Sequence, residues 1–213
     1  MSLRIDPFQQ PALPIDRTVE VFGIPICRIP QGDGTNWCWA ACIKMILNSY
    51  DLPQNDELCA IANKAVLIRQ PSSSSDCCNT GGSACQELVH DDVITQVWHE
   101  YDITVIPVRH VPPGSATTLL GLLRLNHPVE LEYGGDTGHV VLLYGWSGDT
   151  PSGRFRFHYH DPADKSNNNV RADRVGDNGD QGRLNAYWEI QPDGKPDPNC
   201  DRKVRGGLLH DCQ

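Results

Sequence analysis

The chain has 213 residues, with 27 acidic against 18 basic side chains and a net charge of −9. That acidity excludes a phosphate-backbone binder, which needs a basic stripe, so no nucleic-acid partner is expected. The longest apolar runs, such as VVLLYGW, are far too short to span a bilayer, so no membrane partner is expected either.

Residues 1–23 read as an N-terminal arm: PFQQPALPID is Pro-spaced, and TVEVFGIPI alternates like an edge strand. Cys38 to Tyr50 reads as a helix without a breaker, ended by DLPQ. A second helix is predicted from about Asn55 to Arg69, with Asn55 or Asp56 as its N-cap. QPSSSSDCCNTGGSACQ is a long polar loop with three cysteines, and a loop of that length needs staples or a function. Helical patterns return at about 86–100 and 115–126, the latter capped by Ser115.

The character then changes. HPVELEYGG, GHVVLLYGWSG, GRFRFHYHDP and NAYWEIQP are short alternating or β-branched runs separated by Gly, Pro, Asp and Asn, which read as strands. A helical half (about 36–127) followed by a β half (about 128–191) argues an α+β fold with a cleft between two lobes. Residues 192–213 read as a tail strapped by Cys200 and Cys212.

Nine cysteines make up about 4% of the chain, high for a reducing compartment, so an exported, disulfide-bonded protein is expected. MSLRIDPFQQPALP nevertheless lacks the apolar core of a signal peptide. Eight cysteines can form four bridges and leave one thiol over. Adjacent Cys77 and Cys78 should take different partners, and Cys200 with Cys212 would close a short loop.

Cys38, in NWCWAAC, opens its helix. A helix N-terminus favours a thiolate, and its free N–H groups can receive a developing oxyanion. A nucleophilic cysteine needs a base, and the base an orienting group. His139 follows GGDTG and starts a buried strand. Folding that strand against FRFHYHD about Asp149 and Thr150 places Asp161 across from His139, where a carboxylate would fix the tautomer. Asp161 precedes a proline and is equally a common turn residue. His158 and His160 alternate with Phe157 and Tyr159 and read as an outward face. Cys38 and Cys42 lack the partner motif of a zinc site, and DNGDQG near 177 fails calcium-loop spacing, so neither a metal nor a cofactor is expected.

The ordered set of NWCWAA with an upstream Gln, then GHVVLLYGW, then HYHDP, resembles the papain-like cysteine proteases over about residues 24–190. Among their branches it is most similar to the C39-like and AvrRpt2-type peptidases, which use aspartate where papain has asparagine. The resemblance implies a two-lobed papain-like domain over 24–213 with its site in the groove. By position it implies Cys38 as nucleophile, His139 as base, Asp161 as third member and Gln31 as the side-chain donor of the oxyanion hole. Gln31 stands seven residues before Cys38, one more than is common in papain-type enzymes, and Asn36 is the alternative donor. The implied function is thiol-dependent hydrolysis of peptide bonds, with a peptide or protein substrate and a protein inhibitor as partners. Acyl transfer or amidase chemistry on the same triad, and a non-catalytic binding module on the same scaffold, are the alternatives.

Overall fold

Nothing in Cys38–Ser49 breaks a helix, and the segment is apolar on nearly every side; it forms α1, the central helix of the molecule. Ile43, Met45, Ile46 and Leu47 are wholly buried along it, each burial stabilising the fold by about 1.5–3 kcal/mol. In this computed structural model the described residues are 20–197, apart from 33–34, 51, 53–55, 80–81, 88, 110–115, 135–137, 165–167 and 177–182. The expected Ser115 and Asn55 caps, the Cys200–Cys212 bridge and most of the N-terminal arm lie outside the described residues.

The fold is α+β, a helical layer packed on an antiparallel sheet. In chain order the elements are β1 (Glu20–Gly23), α1, α2 (Leu58–Arg69), α3 (Asp91–His99), β2 (Thr104–Arg109), α4 (Ala116–Arg124), β3 (Val129–Tyr133), β4 (His139–Asp149), β5 (Arg154–His160), β6 (Asn168–Arg171) and β7 (Leu184–Gln191). A 3-10 turn, Ser83–Gln86, stands between α2 and α3. The sheet runs β2-β7-β3-β4-β5-β6, and β1 also pairs with β4. Helix α1 packs on β4, α2 on α1 and α3, and α3 on β2.

β4 is long enough to serve two partners on one side. Its residues 139–143 pair with β3 and its residues 145–148 with β1, while β5 lies along the other edge. Gly145 is needed there, because a Cβ would run into the backbone of Phe22 and Gly23.

Several expectations are corrected. TVIPVR at 104–109, inside the stretch read as helical, is a strand; Pro107 masks its alternation, yet proline is tolerated because β2 is an edge strand. NNVR at 168–171 is a short strand too polar to read. The 86–100 pattern resolves into the 3-10 turn and a shorter α3. Asp56 does not cap α2, whose N-cap is Glu57; its carboxylate instead accepts from Tyr101 Oη at 2.9 Å.

The cysteine arithmetic is corrected as well. Bridges join Cys59 to Cys78 and Cys77 to Cys85, so the adjacent cysteines do take different partners, and Cys27 is also disulfide-bonded. Cys42, however, is a second free thiol beside Cys38. It is fully buried on α1, and as a second free thiol it means that parity does not single out Cys38.

Candidate active site

The β4–β5 hairpin sets the site's geometry. Its turn spans residues 150–153, since Asp149 pairs with Arg154, and a bulge between Leu143 and Gly145 absorbs Tyr144. Leu142 therefore faces His160, and continuing this register sets Asp161 beside Val141 rather than His139 as expected. His139 lies two residues along on the same face as Val141, within diagonal reach. The side chains bridge that offset: His139 Nε2–H donates to Asp161 Oδ1 at 2.7 Å.

Asp161 is 3% exposed. The Ala163 backbone N–H also donates to its Oδ1 at 2.9 Å, forming a local turn before which the strand ends. The His139 ring hydrogen-bonds the Cys38 thiol in addition. Burial pulls the imidazole pKa down, but hydrogen bonds to Asp161 and Cys38 and their negative charge outweigh it, raising the value to about 9.

Cys38 is the first residue of α1, and the helix mouth carries no side-chain cap. The first intrahelical bond runs from Ala41 N–H to Trp37 O at 2.9 Å, so the N–H groups of Cys38, Trp39 and Ala40 have no intrahelical acceptor. Cys42 sits one turn deeper. Burial first, then the charges of Glu130, Cys38 and Asp161, push its thiol well above the ordinary range.

Gln31 and Asn36 both border the same cleft as Cys38 and His139, a cavity of about 470 Å³. Gln31 Nε2 donates to Thr35 O at 2.6 Å, and Thr35 Oγ1 donates back to Gln31 O at 2.6 Å, closing a small loop. An amide nitrogen carries two hydrogens, so the bond to Thr35 uses only one of them. Asn36 Nδ2 donates to Gln86 O at 2.8 Å. Gln31 N–H donates to Pro162 O at 3.1 Å, and Arg28 Nη2 to Asp161 O at 3.3 Å, so the segment before α1 is docked on the turn after β5.

His158 and His160 do not border this cleft. His158 is half-buried beside Ser147 Oγ at 2.7 Å. His160 is not outward-facing as expected, because residues 24–29 cover that end of β5. It is 1% exposed, stacks on Tyr144 at 4.3 Å and donates from Nε2 to Ile26 O at 3.2 Å. Burial lowers its pKa to about 4.

The sequence reading missed the rest of the cleft: Val89, His90 and Asp91 at the start of α3, Glu132 on β3 and Asn185 on β7. Glu132 packs under Gly138, where a Cβ would come 2.6 Å from Glu132 Oε1. A side chain at 138 would therefore have to displace the Glu132 carboxylate. One step deeper on the same face of β3, Glu130 is fully buried and accepts from Trp98 Nε1 at 2.8 Å. Burial raises its pKa to about 8, against the Trp98 hydrogen bond and with help from Glu132 and Asp91. Among the described residues no cluster of three or more His, Cys, Asp or Glu could hold a metal ion.

No curated protein matches the chain. Among solved structures it is similar to the peptidase domain of Streptococcus ComA, a bi-functional ABC transporter involved in a quorum-sensing pathway. The match has 13% identity and a TM-score of 0.47, and covers 78% of this chain and 98% of that one. The family model for the Peptidase_C39 like family matches residues 3–190, most of the 213-residue chain. The chain belongs to the Peptidase_C39-like family.

Proposed function

We propose that this member of a family of cysteine peptidases hydrolyses peptide bonds through Cys38, His139 and Asp161. The observation that carries the reading is one imidazole joined at once to a buried carboxylate and to a thiol at an uncapped helix mouth. Asp161 holds the Nε2 proton, which leaves Nδ1 to exchange the thiol proton. The Cys38 sulfur attacks the peptide carbonyl, and the oxyanion settles between the Cys38 backbone N–H and the second amide hydrogen of Gln31. The His139 imidazolium protonates the leaving amine, giving a thioester. His139 then takes a proton from water, the hydroxyl oxygen attacks the thioester, and the acid leaves as the thiol re-forms. The disulfides support an exported protein, and no described helix is long and apolar enough to cross a membrane.

The test is a peptide library incubated with the protein, with and without an added primary amine, its products weighed by mass spectrometry. Hydrolysis that Cys38→Ala abolishes without unfolding the protein supports the reading. Amine-conjugated products as the main outcome would make acyl transfer the activity. Tight peptide binding without turnover would make it a binding module.

A further inference from the structure

The residues that lead into Cys38 are positioned from outside their own helix. Trp37 is the N-cap of α1, but its side chain makes no capping bond. Its Nε1–H instead donates to Cys85 O at 2.7 Å. Asn36, which borders the cleft, donates from Nδ2 to Gln86 O at 2.8 Å, and its backbone N–H reaches Gln86 Oε1 at 3.4 Å. Both residues thus hang on the carbonyls of the 3-10 turn at Ser83–Gln86.

That turn has little apolar packing of its own and is held by bonds of other kinds. Cys85 is tied to Cys77, and Cys78 next door is tied to Cys59 on α2. Cys77 N–H donates to Asn63 Oδ1 at 2.7 Å. Arg69 at the end of α2 donates to Ala84 O and pairs with Glu87, both at 2.7 Å. Ala62, Val66, Cys77 and Cys85 form a small core separate from the main one. Trp37 packs against both cores, so it transmits the position of one to the other. In so small a cluster the covalent links hold what burial alone cannot.

We propose that the Cys77–Cys85 bridge and its 3-10 turn act as a clamp that positions Asn36 and Trp37 for catalysis at Cys38, so that turnover requires this bridge oxidised while Cys38 is reduced. The proposal rests on the peptidase reading above. Cys77 and Cys85 are buried, whereas Cys78 of the neighbouring bridge is exposed, so a reductant meets the outer bridge first. A dithiol reductant breaks the Cys77–Cys85 bond by donating two electrons and two protons. Two thiols result, and the reductant closes to its own cyclic disulfide.

The experiment titrates the whole protein with dithiothreitol, maps bridge state by mass spectrometry and follows two rates. Peptide hydrolysis needs the aligned oxyanion site. Alkylation of Cys38 by iodoacetamide forms no oxyanion and needs only an accessible thiolate. Hydrolysis is expected to fall on the order of 10²-fold as Cys77–Cys85 opens, as small misplacements at a catalytic centre do, while Cys38 alkylation continues at its former rate. Cys77→Ser with Cys85→Ser should reproduce this split. If that variant does not fold, Trp37→Phe removes the Nε1–H donor while keeping a smaller aromatic ring between the two cores, and should lower kcat while leaving KM and alkylation unchanged. Hydrolysis indifferent to the state of the bridge overturns the clamp and leaves the peptidase reading intact. Loss of hydrolysis and alkylation together, in both variants, overturns it as well by reducing the bridge to a general support. An oxidised protein that neither hydrolyses peptides nor labels at Cys38 refutes the peptidase reading itself.

Discussion

The two walls of the cleft are built by different means. On the sheet wall, His139 and Asp161 are fixed by the main-chain ladder of β4 and β5, and one 2.7 Å hydrogen bond closes the remaining offset. On the helical wall, the residues before Cys38 are fixed by two disulfides and by side-chain bonds to backbone carbonyls. A ladder follows from the alternation of the chain and tolerates surface change. A stapled loop depends on a few bonds that can be cut one at a time. On the proposed reading the sheet wall should fail through His139 and Asp161 themselves, and the helical wall through its supports as well as through its own reacting groups.

The largest effect expected is on the sheet wall. His139→Ala should lower kcat/KM by on the order of 10⁴-fold or more, as loss of a triad base does, with an unchanged far-UV spectrum. Asp161→Asn comes next, at about 10²–10⁴-fold, and it should also alter the pH profile. In the proposed mechanism the wild-type imidazole, raised to about 9, stays protonated and able to serve as the acid for the leaving amine until the pH passes that value. Without the Asp161 charge, the alkaline limb of kcat should move down toward the ordinary histidine range. A limb that stays in place would show that Asp161 does not set the charge of His139. On the helical wall, Gln31→Ala should cost on the order of 10²-fold in kcat, the usual loss for one oxyanion donor, with little change in KM.

The smallest expected effects concern stability. Glu130 has a folded pKa of about 8, raised above its ordinary value, so its favourable contribution is full below about 4.5 and is lost as pH rises through about 8. Glu130→Gln keeps an acceptor for Trp98 and removes the charge. It should raise Tm above pH 8, by on the order of a few kcal/mol in stability, and change little near pH 4. Removing the outer bridge by Cys59→Ser with Cys78→Ser should cost about 2–4 kcal/mol, read by urea unfolding.

What was legible in the sequence follows the same division. Four of the five strands of the β half show alternating or β-branched runs, so they and the meeting of His139 with Asp161 could be read from residues alone. The register was misjudged because neither the position of the turn nor the extra residue at Tyr144 leaves a mark in the hydrophobic pattern. β2 was hidden by Pro107, and β6 by its polar residues. On the helical wall, the position of Cys38 at a helix mouth was legible, but the bonds that fix it were not. Trp37 Nε1 to Cys85 O joins residues 48 apart, which no local pattern encodes. Parity implies a single thiol left over and cannot tell that Cys42 is free as well, because a count of cysteines carries no information on which of them meet in space.

Cys38 and Cys42 supply the most direct test of the account, since they are two free thiols one helical turn apart. The oxidised protein is treated with iodoacetamide at neutral pH, the labels are mapped by mass spectrometry, and hydrolysis is followed in the same sample. Of these two thiols the account predicts labelling of Cys38 and none of Cys42, with hydrolysis lost in step with the Cys38 label. Equal labelling of the two, or hydrolysis that survives full modification of Cys38, would contradict it.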